Sequence, residues 1–277
     1  MASLGQSQIA DEGGAQSRVA GMLRGRGDQL LVLVLIFAIW QVLSMWLGTY
    51  WIGSPWGVVV RLYDGVVHGT ILHHASFTLA EAVIGFIIGA IPAVLLPFLL
   101  RRLPIATAIL DPFMVGGYGA PKLALAPLFI LWFGIGIESK IALVAITVFF
   151  IVYFSALAGV RALDAKLVQM AQVAGANERD VARHIVFPGA VPYVFTGFRI
   201  AMPYSIGGAV VAEIISSNRG LGYLVQLSAM NFDTIGVFTA LIAVTIIVFI
   251  CNGAVDFFER RLLRWRPAGD IKNQTSA

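Results

Sequence analysis

Long apolar stretches bounded by arginine recur along this chain, and few soluble folds have an interior large enough to hide them. Residues 30–47, 76–100, 139–160, 191–215 and 235–257 are each apolar for close to the ~20 residues that a helix rising ~1.5 Å per residue needs to cross a ~30 Å hydrocarbon core. The composition agrees: 58% of the 277 residues are hydrophobic and 12% charged, against about 45–50% apolar and 25% charged in soluble domains. The run at 30–47 follows Arg24 and Arg26 as a signal peptide would, but GTYWIGSPWG after it is bulky rather than a small-residue cleavage site. It is therefore expected to be the first span.

Two segments between the spans are irregular. Residues 51–75 open with Ser54-Pro55, a cap followed by proline at the first helical position, and carry Val58, Leu62 and Val66 at helical spacing, which predicts a surface helix. In 104–136 an apolar stretch is interrupted by Pro104, Pro112, Pro121, Pro127, Gly116, Gly117 and Gly119. One broken crossing is expected there, turned toward a pathway or a subunit interface where its freed backbone groups find partners.

Counting Lys and Arg by side sets the orientation. With the amino terminus in the cytoplasm, fourteen basic residues fall inside (Arg18, Arg24, Arg26, Arg101, Arg102, Arg161, Lys166, Arg179, Arg183, Arg260, Arg261, Arg264, Arg266 and Lys272) and three outside (Arg61, Lys140 and Arg219). The split requires 104–136 to cross an odd number of times. The expectation is an all-α integral membrane protein with six transmembrane helices, the third broken. A flexible cytoplasmic tail at 1–27 and a cytoplasmic tail at 267–277 flank a membrane domain at 28–266, with both termini in the cytoplasm. The net charge of +4 is spent on topology, so no nucleic-acid partner is expected.

Several chemistries find no support in the residue pattern. Cys251 is the only cysteine and lies in an apolar run, so it has no disulfide partner in the chain. His68, His73 and His74 cluster on the expected outer surface without Asp, Glu or Cys at ligand spacing, so no metal site is expected. No Ser-His-Asp or paired-carboxylate arrangement stands out at membrane depth, and the chain is not expected to be an enzyme.

The longest polar stretch between spans is 161–190, RALDAKLVQMAQVAGANERDVARHIVFPGA. Leu163, Leu167, Met170, Ala171 and Ala174 share one helical face that ends at Gly175, and a second helix starts at Asn177, with Asp180 completing a capping box, and ends before Pro188. The loop resembles the cytoplasmic loop of the membrane subunits of ATP-binding-cassette importers: Glu-Ala-Ala, three residues, Gly, nine residues, then Ile-x-Leu-Pro. The matching residues are Gln169, Met170, Ala171, Gly175, Ile185, Phe187 and Pro188; Gln169, Met170 and Phe187 depart from the usual Glu, Ala and Leu. APKLALAPLFILWFGIG at 120–136, VAEIISSNRGLGYLV at 211–225 and FERRLLRW at 258–265 are similar to the nitrate, sulfonate and taurine group of these permeases.

The resemblance implies a type I importer permease fold in a bacterial inner membrane. It implies a homodimer working with two ATPase copies, which bind ATP and Mg, and a periplasmic or lipid-anchored substrate-binding protein. It assigns ATPase coupling to the matched loop positions and their neighbour Ala176. No Lys follows a Gly in this chain, so the phosphate-binding loop belongs to another polypeptide. The cargo implied is a small organic anion such as a sulfonate or carboxylate, or nitrate; a vitamin precursor is the alternative within the group. An ion-gradient-driven secondary transporter is the competing class, usually marked by broken helices in both halves.

Charged residues within spans are costly and mark candidate contacts along a pathway. Glu81, Asp111, Lys122, Arg199 and Glu213 qualify. Lys122, with Tyr118 and Pro121 beside it, sits among helix breaks whose free N–H groups suit an anion, and Glu213 precedes the external GLGY stretch, as an outer gate or binding-protein contact would. Glu81, Asp111 and Arg199 are expected to pair or to reach an interface.

Overall fold

The computed structural model describes residues 26–264 and is helical throughout that range apart from short connections. The expected tails, the basic residues Arg18, Arg24, Arg266 and Lys272, and Trp265 lie wholly or almost wholly outside the described residues.

Helix α1 (Arg26–Leu47) presents nearly all of its apolar side chains outward, as a lipid-facing helix does. Trp40 anchors it: Nε1 donates to the Ile52 carbonyl at 3.1 Å and the ring lies 5.2 Å from that of Phe238. A short turn, α2 (Thr49–Ile52), leads to α3 (Pro55–Val67), where Ser54 Oγ accepts from the Gly57 amide at 3.3 Å with Pro55 at the first helical position. Trp46, Trp51, Trp56 and Tyr63 are exposed around this corner, the placement of an interfacial aromatic belt. The surface helix is shorter than expected because Gly69, at φ 78°, ends it, and the next span begins at once.

That span, α4 (Thr70–Leu100), runs as one helix through Pro92 and Pro97. The broken crossing consists of α5 (Pro104–Gly119), a 3-10 turn (Lys122–Leu125) and α6 (Ala126–Phe133), its two arms bent by 84°. The fourth span is α7 (Ile137–Arg161). After the loop helices described below come α10 (Phe187–Ile215), a short helix α11 (Leu221–Met230) and α12 (Thr234–Leu262). Among the described residues five helices are long and apolar enough to cross a membrane, and six if the bent pair is one span. α11 was not expected, since its ten residues carry too little periodic signal to separate from a loop.

The core lies where α7 packs against α4 and α10. Without a hydrophobic driving force between helices in lipid, close backbone approach has to supply the attraction, and small residues permit it. A Cβ at Gly89 of α4 would run into the Ala145 carbonyl, and one at Gly197 of α10 would come within 2.7 Å of Ser155 Cβ. Ala82, Ala90, Ala93, Val144, Val148 and Val152 fill the seams between them.

Candidate functional site

On the basic side, Ala165–Val173 forms a short helix, α8, capped by Asp164, which accepts from the Lys166 amide at 2.8 Å. Its end closes as a Schellman motif: the Gly175 amide donates to the Gln172 carbonyl at 3.0 Å and the Ala176 amide to the Ala171 carbonyl at 2.9 Å. Gly175 sits at φ 89°, where a side chain is strained. Asn177 then caps α9 (Glu178–Val181): its Oδ1 accepts from the Arg179 and Asp180 amides, and Asp180 accepts from the Asn177 amide at 3.1 Å. Gln172 donates to Glu178 across the junction at 3.1 Å.

The second loop helix does not end before Pro188. A π turn over Ala182–Val186 carries it into α10 without a break, so that 178–215 is one continuous helical run. The wider turn frees the backbone at the point where proline brings no N–H, and Pro188 enters α10 as its second residue, a position proline tolerates. Val181 and Val186 are buried, Ile185 and Pro188 half-buried, and the exposed Phe187 ring lies 5.8 Å from Phe98. Gln169, Leu167, Met170 and Val173 point away from the protein, Val173 being 90% exposed. Ala171 and Ala176 are half-buried at the helix junction. The loop is thus rigid, held by caps at both ends, with an unpartnered apolar face.

Tyr118, Pro121 and Lys122 line a cavity of ≈ 700 Å³ between the broken span, α7 and α10. Thr147, Tyr204, Gly207 and Gly208 also line it and were not singled out in the sequence; adjacent glycines in a span were the available signal. The Lys122 ammonium donates to the carbonyls of Gly117, Tyr118 and Ala120, satisfying the end of α5, and lies 5.3 Å from the centres of the Tyr118 and Phe150 rings.

Glu81 and Glu213 lie elsewhere, in a buried cluster at the opposite end of the bundle from the loop. Glu213 is fully buried, so its side chain cannot touch an external protein in this conformation. It organises the start of α11: Gly222 N–H donates to Glu213 Oε2 at 2.7 Å, Leu221 N–H to Thr78 Oγ1 at 2.8 Å, and Gly220 N–H to His74 Nδ1 at 3.1 Å. Thr78 in turn donates to Glu213 Oε1 at 2.7 Å. Three side chains from two other helices, His74 and Thr78 of α4 and Glu213 of α10, thereby satisfy the orphan amides of one helix N-terminus, with a carboxylate where the helix dipole favours it. Lys140, 4% exposed, lies 3.7 Å from Glu81 and donates to the carbonyls of Ile135 and Gly136, both at 3.2 Å.

The remaining charged candidates are paired, as expected. Asp111 meets Arg161 at 3.1 Å, and Arg199 forms ion pairs with Asp256 at 2.8 Å and with Glu259. Neither cation is free to serve an anion in the cavity. Among the described residues no three His, Cys, Asp or Glu side chains converge on a metal position.

Residues 85–264 match the family described as binding-protein-dependent transport system inner membrane component. The chain is 34% identical to the aliphatic sulfonates transport permease SsuC of Escherichia coli over 87% of its own length and 92% of that protein's. It is 32% identical to SsuC of Bacillus subtilis over 86% and 87%. The formylaminopyrimidine transport permease ThiX of Halalkalibacterium halodurans is 29% identical over 86% and 96%. Among solved structures, an inward-facing form of the MetNI methionine ABC transporter superposes at a TM-score of 0.57 and 18% identity, covering 70% of this chain and 94% of that one. The fold is that of type I importer permeases, all-helical, with five long apolar helices among the described residues and a bent pair between the second and third of them, α4 and α7.

Proposed function

The chain belongs to the family of binding-protein-dependent transport system inner membrane components, and from that premise we propose that two copies of it form the pathway of an ATP-driven importer whose cargo is a small organic anion. The permease itself carries out no bond chemistry; it moves a small solute through the membrane. Two ATPase chains, holding ATP and Mg, sit on the cytoplasmic side, and a binding protein delivers the cargo from outside.

The observation that carries this reading is the loop at 161–190. A Schellman motif and a capping box hold it rigid, while Leu167, Met170 and Val173 remain exposed on one face. Apolar side chains on one face of a short helix are what helix-in-groove recognition requires, and a groove on the ATPase is the partner. Because α9 continues into α10, a push on the loop is delivered along a single helical run to Gly207 and Gly208 beside the cavity. The coupling set is Gln169, Met170, Ala171, Gly175, Ala176, Ile185, Phe187 and Pro188. Tyr118, Pro121 and Lys122 are the path residues, and Glu81 and Glu213 shape the outer end.

The relatives named for aliphatic sulfonates support the anion. One observation favours a neutral heterocycle of the kind named for ThiX: Lys122 spends its protons on three carbonyls, and Tyr118 and Tyr204 are among the residues that line the cavity. Uptake into vesicles holding the permease, its ATPase and its binding protein decides between them. ATP-dependent accumulation of an alkanesulfonate, unaffected by excess formylaminopyrimidine, is the expected result; the reverse pattern overturns the anion assignment.

A further inference from the structure

The basic end of α4 borders an apolar groove of ≈ 550 Å³ that shares no lining residue with the cavity beside Lys122. Pro92, Leu95, Leu96 and Leu99 form one wall, Ala182 and Val186 of the π turn the other, and Arg101 and Arg102 close its end. Leu95 and Leu99 are 62% and 61% exposed. From Pro92 to Arg102 a helix rises ~15 Å, about half of a hydrocarbon core, so the groove is one leaflet deep.

Arg61, Arg161 and Arg199 pair with carboxylates, whereas among the described residues Arg101 and Arg102, like Arg260 and Arg261 at the end of α12, form no ion pair; what sets Arg101 and Arg102 apart is the apolar groove beside them. Arg102 gives one N–H to the Glu178 carbonyl at 3.3 Å. Glu178 accepts from the Gln172 amide and Asp180 from the Asn177 amide, and neither forms an ion pair with the two arginines. Two guanidiniums without counter-ions at the mouth of a hydrocarbon-lined groove call for an anion joined to an apolar chain, with the phosphate accepting charge-assisted hydrogen bonds.

We propose that this groove binds one anionic phospholipid from the leaflet on the basic side, its phosphate between Arg101 and Arg102 and one acyl chain along Leu95, Leu96 and Leu99. The bound lipid touches both α4 and the π turn, and so joins the second span to the run that leads from the loop into α10. This rests on the groove and its charge alone and holds whatever the cargo.

Native mass spectrometry of the full-length permease, purified in mild detergent and titrated with phosphatidylglycerol or phosphatidylcholine, tests it. Two arginines are expected to favour phosphatidylglycerol by roughly 30-fold. R101Q/R102Q should lose that preference, and Leu96→Trp, which fills the groove, should weaken binding of both lipids. Soluble glycerol 3-phosphate at the same concentration should not compete. Equal retention of the two lipids by the wild type overturns the proposal. So does a preference that survives R101Q/R102Q, displacement by glycerol 3-phosphate alone, or a Leu99→Cys protein that crosslinks to a second copy or to the ATPase through the groove.

Discussion

Lys140 shows how a single charge is held in this protein. Its ammonium is buried beside the Glu81 carboxylate and two carbonyls at the Gly134–Gly136 turn, so removing it leaves an acid without its cation in a dry site. Breaking a buried pair from one side typically costs about 3–5 kcal/mol. Lys140→Met should therefore lower the melting temperature of the purified permease markedly, while Glu81→Gln with Lys140→Met should recover much of the loss. An unchanged melting temperature in the single variant would show that Glu81 does not depend on Lys140. Glu81 and Glu213 were legible as important because charge at membrane depth is costly. Their partners were not legible: Lys140, Thr78 and Gly222 come from different helices, and only packing brings them together. For the same reason the carbonyls of Gly117, Tyr118 and Ala120 that hold the Lys122 ammonium were not legible, although the helix breaks that place Lys122 beside the cavity were.

Among the elements, the loop on the basic side was the most readable, because its signals are local. The caps at Asn177 and Asp180 and the glycine at 175 follow from hydrogen bonds between residues within a few positions of one another. Asn177→Ala removes the acceptor for two amides at the start of α9, and exchange of the amides at 179 and 180 should speed up roughly 2- to 30-fold. Asn177→Ser, another good cap, should stay near wild type; equal acceleration in both would point to fraying of the whole loop instead. The continuation through Pro188 was not readable. Proline usually marks a boundary, and the π turn that lets the helix run on is set by the burial of Val181 and Val186 against the bundle. α11 escaped notice because its start is fixed by Thr78, Glu213 and His74 rather than by a cap of its own.

At the scale of the whole molecule, five long apolar helices among the described residues, a pair bent by 84° and a capped loop that continues into α10 make a body suited to passing a push from one side of the membrane to the other. The number of spans was readable from apolar length, and the break from its prolines and glycines. Which helices enclose the cavity was not, since lipid-facing and cavity-facing surfaces are both apolar. Coupling to a separate ATPase is tested by purifying the tagged chain from gently solubilised native membranes and identifying the proteins that accompany it, for the wild type and for Gly175→Pro. Proline cannot adopt φ 89°, so the variant breaks the Schellman motif at the heart of the loop. An importer permease requires that an ATPase subunit accompany the wild type and be lost from the variant at equal abundance in the membrane. If no ATPase accompanies the wild type under several mild detergents, coupling to ATP is contradicted and transport driven by an ion gradient takes its place.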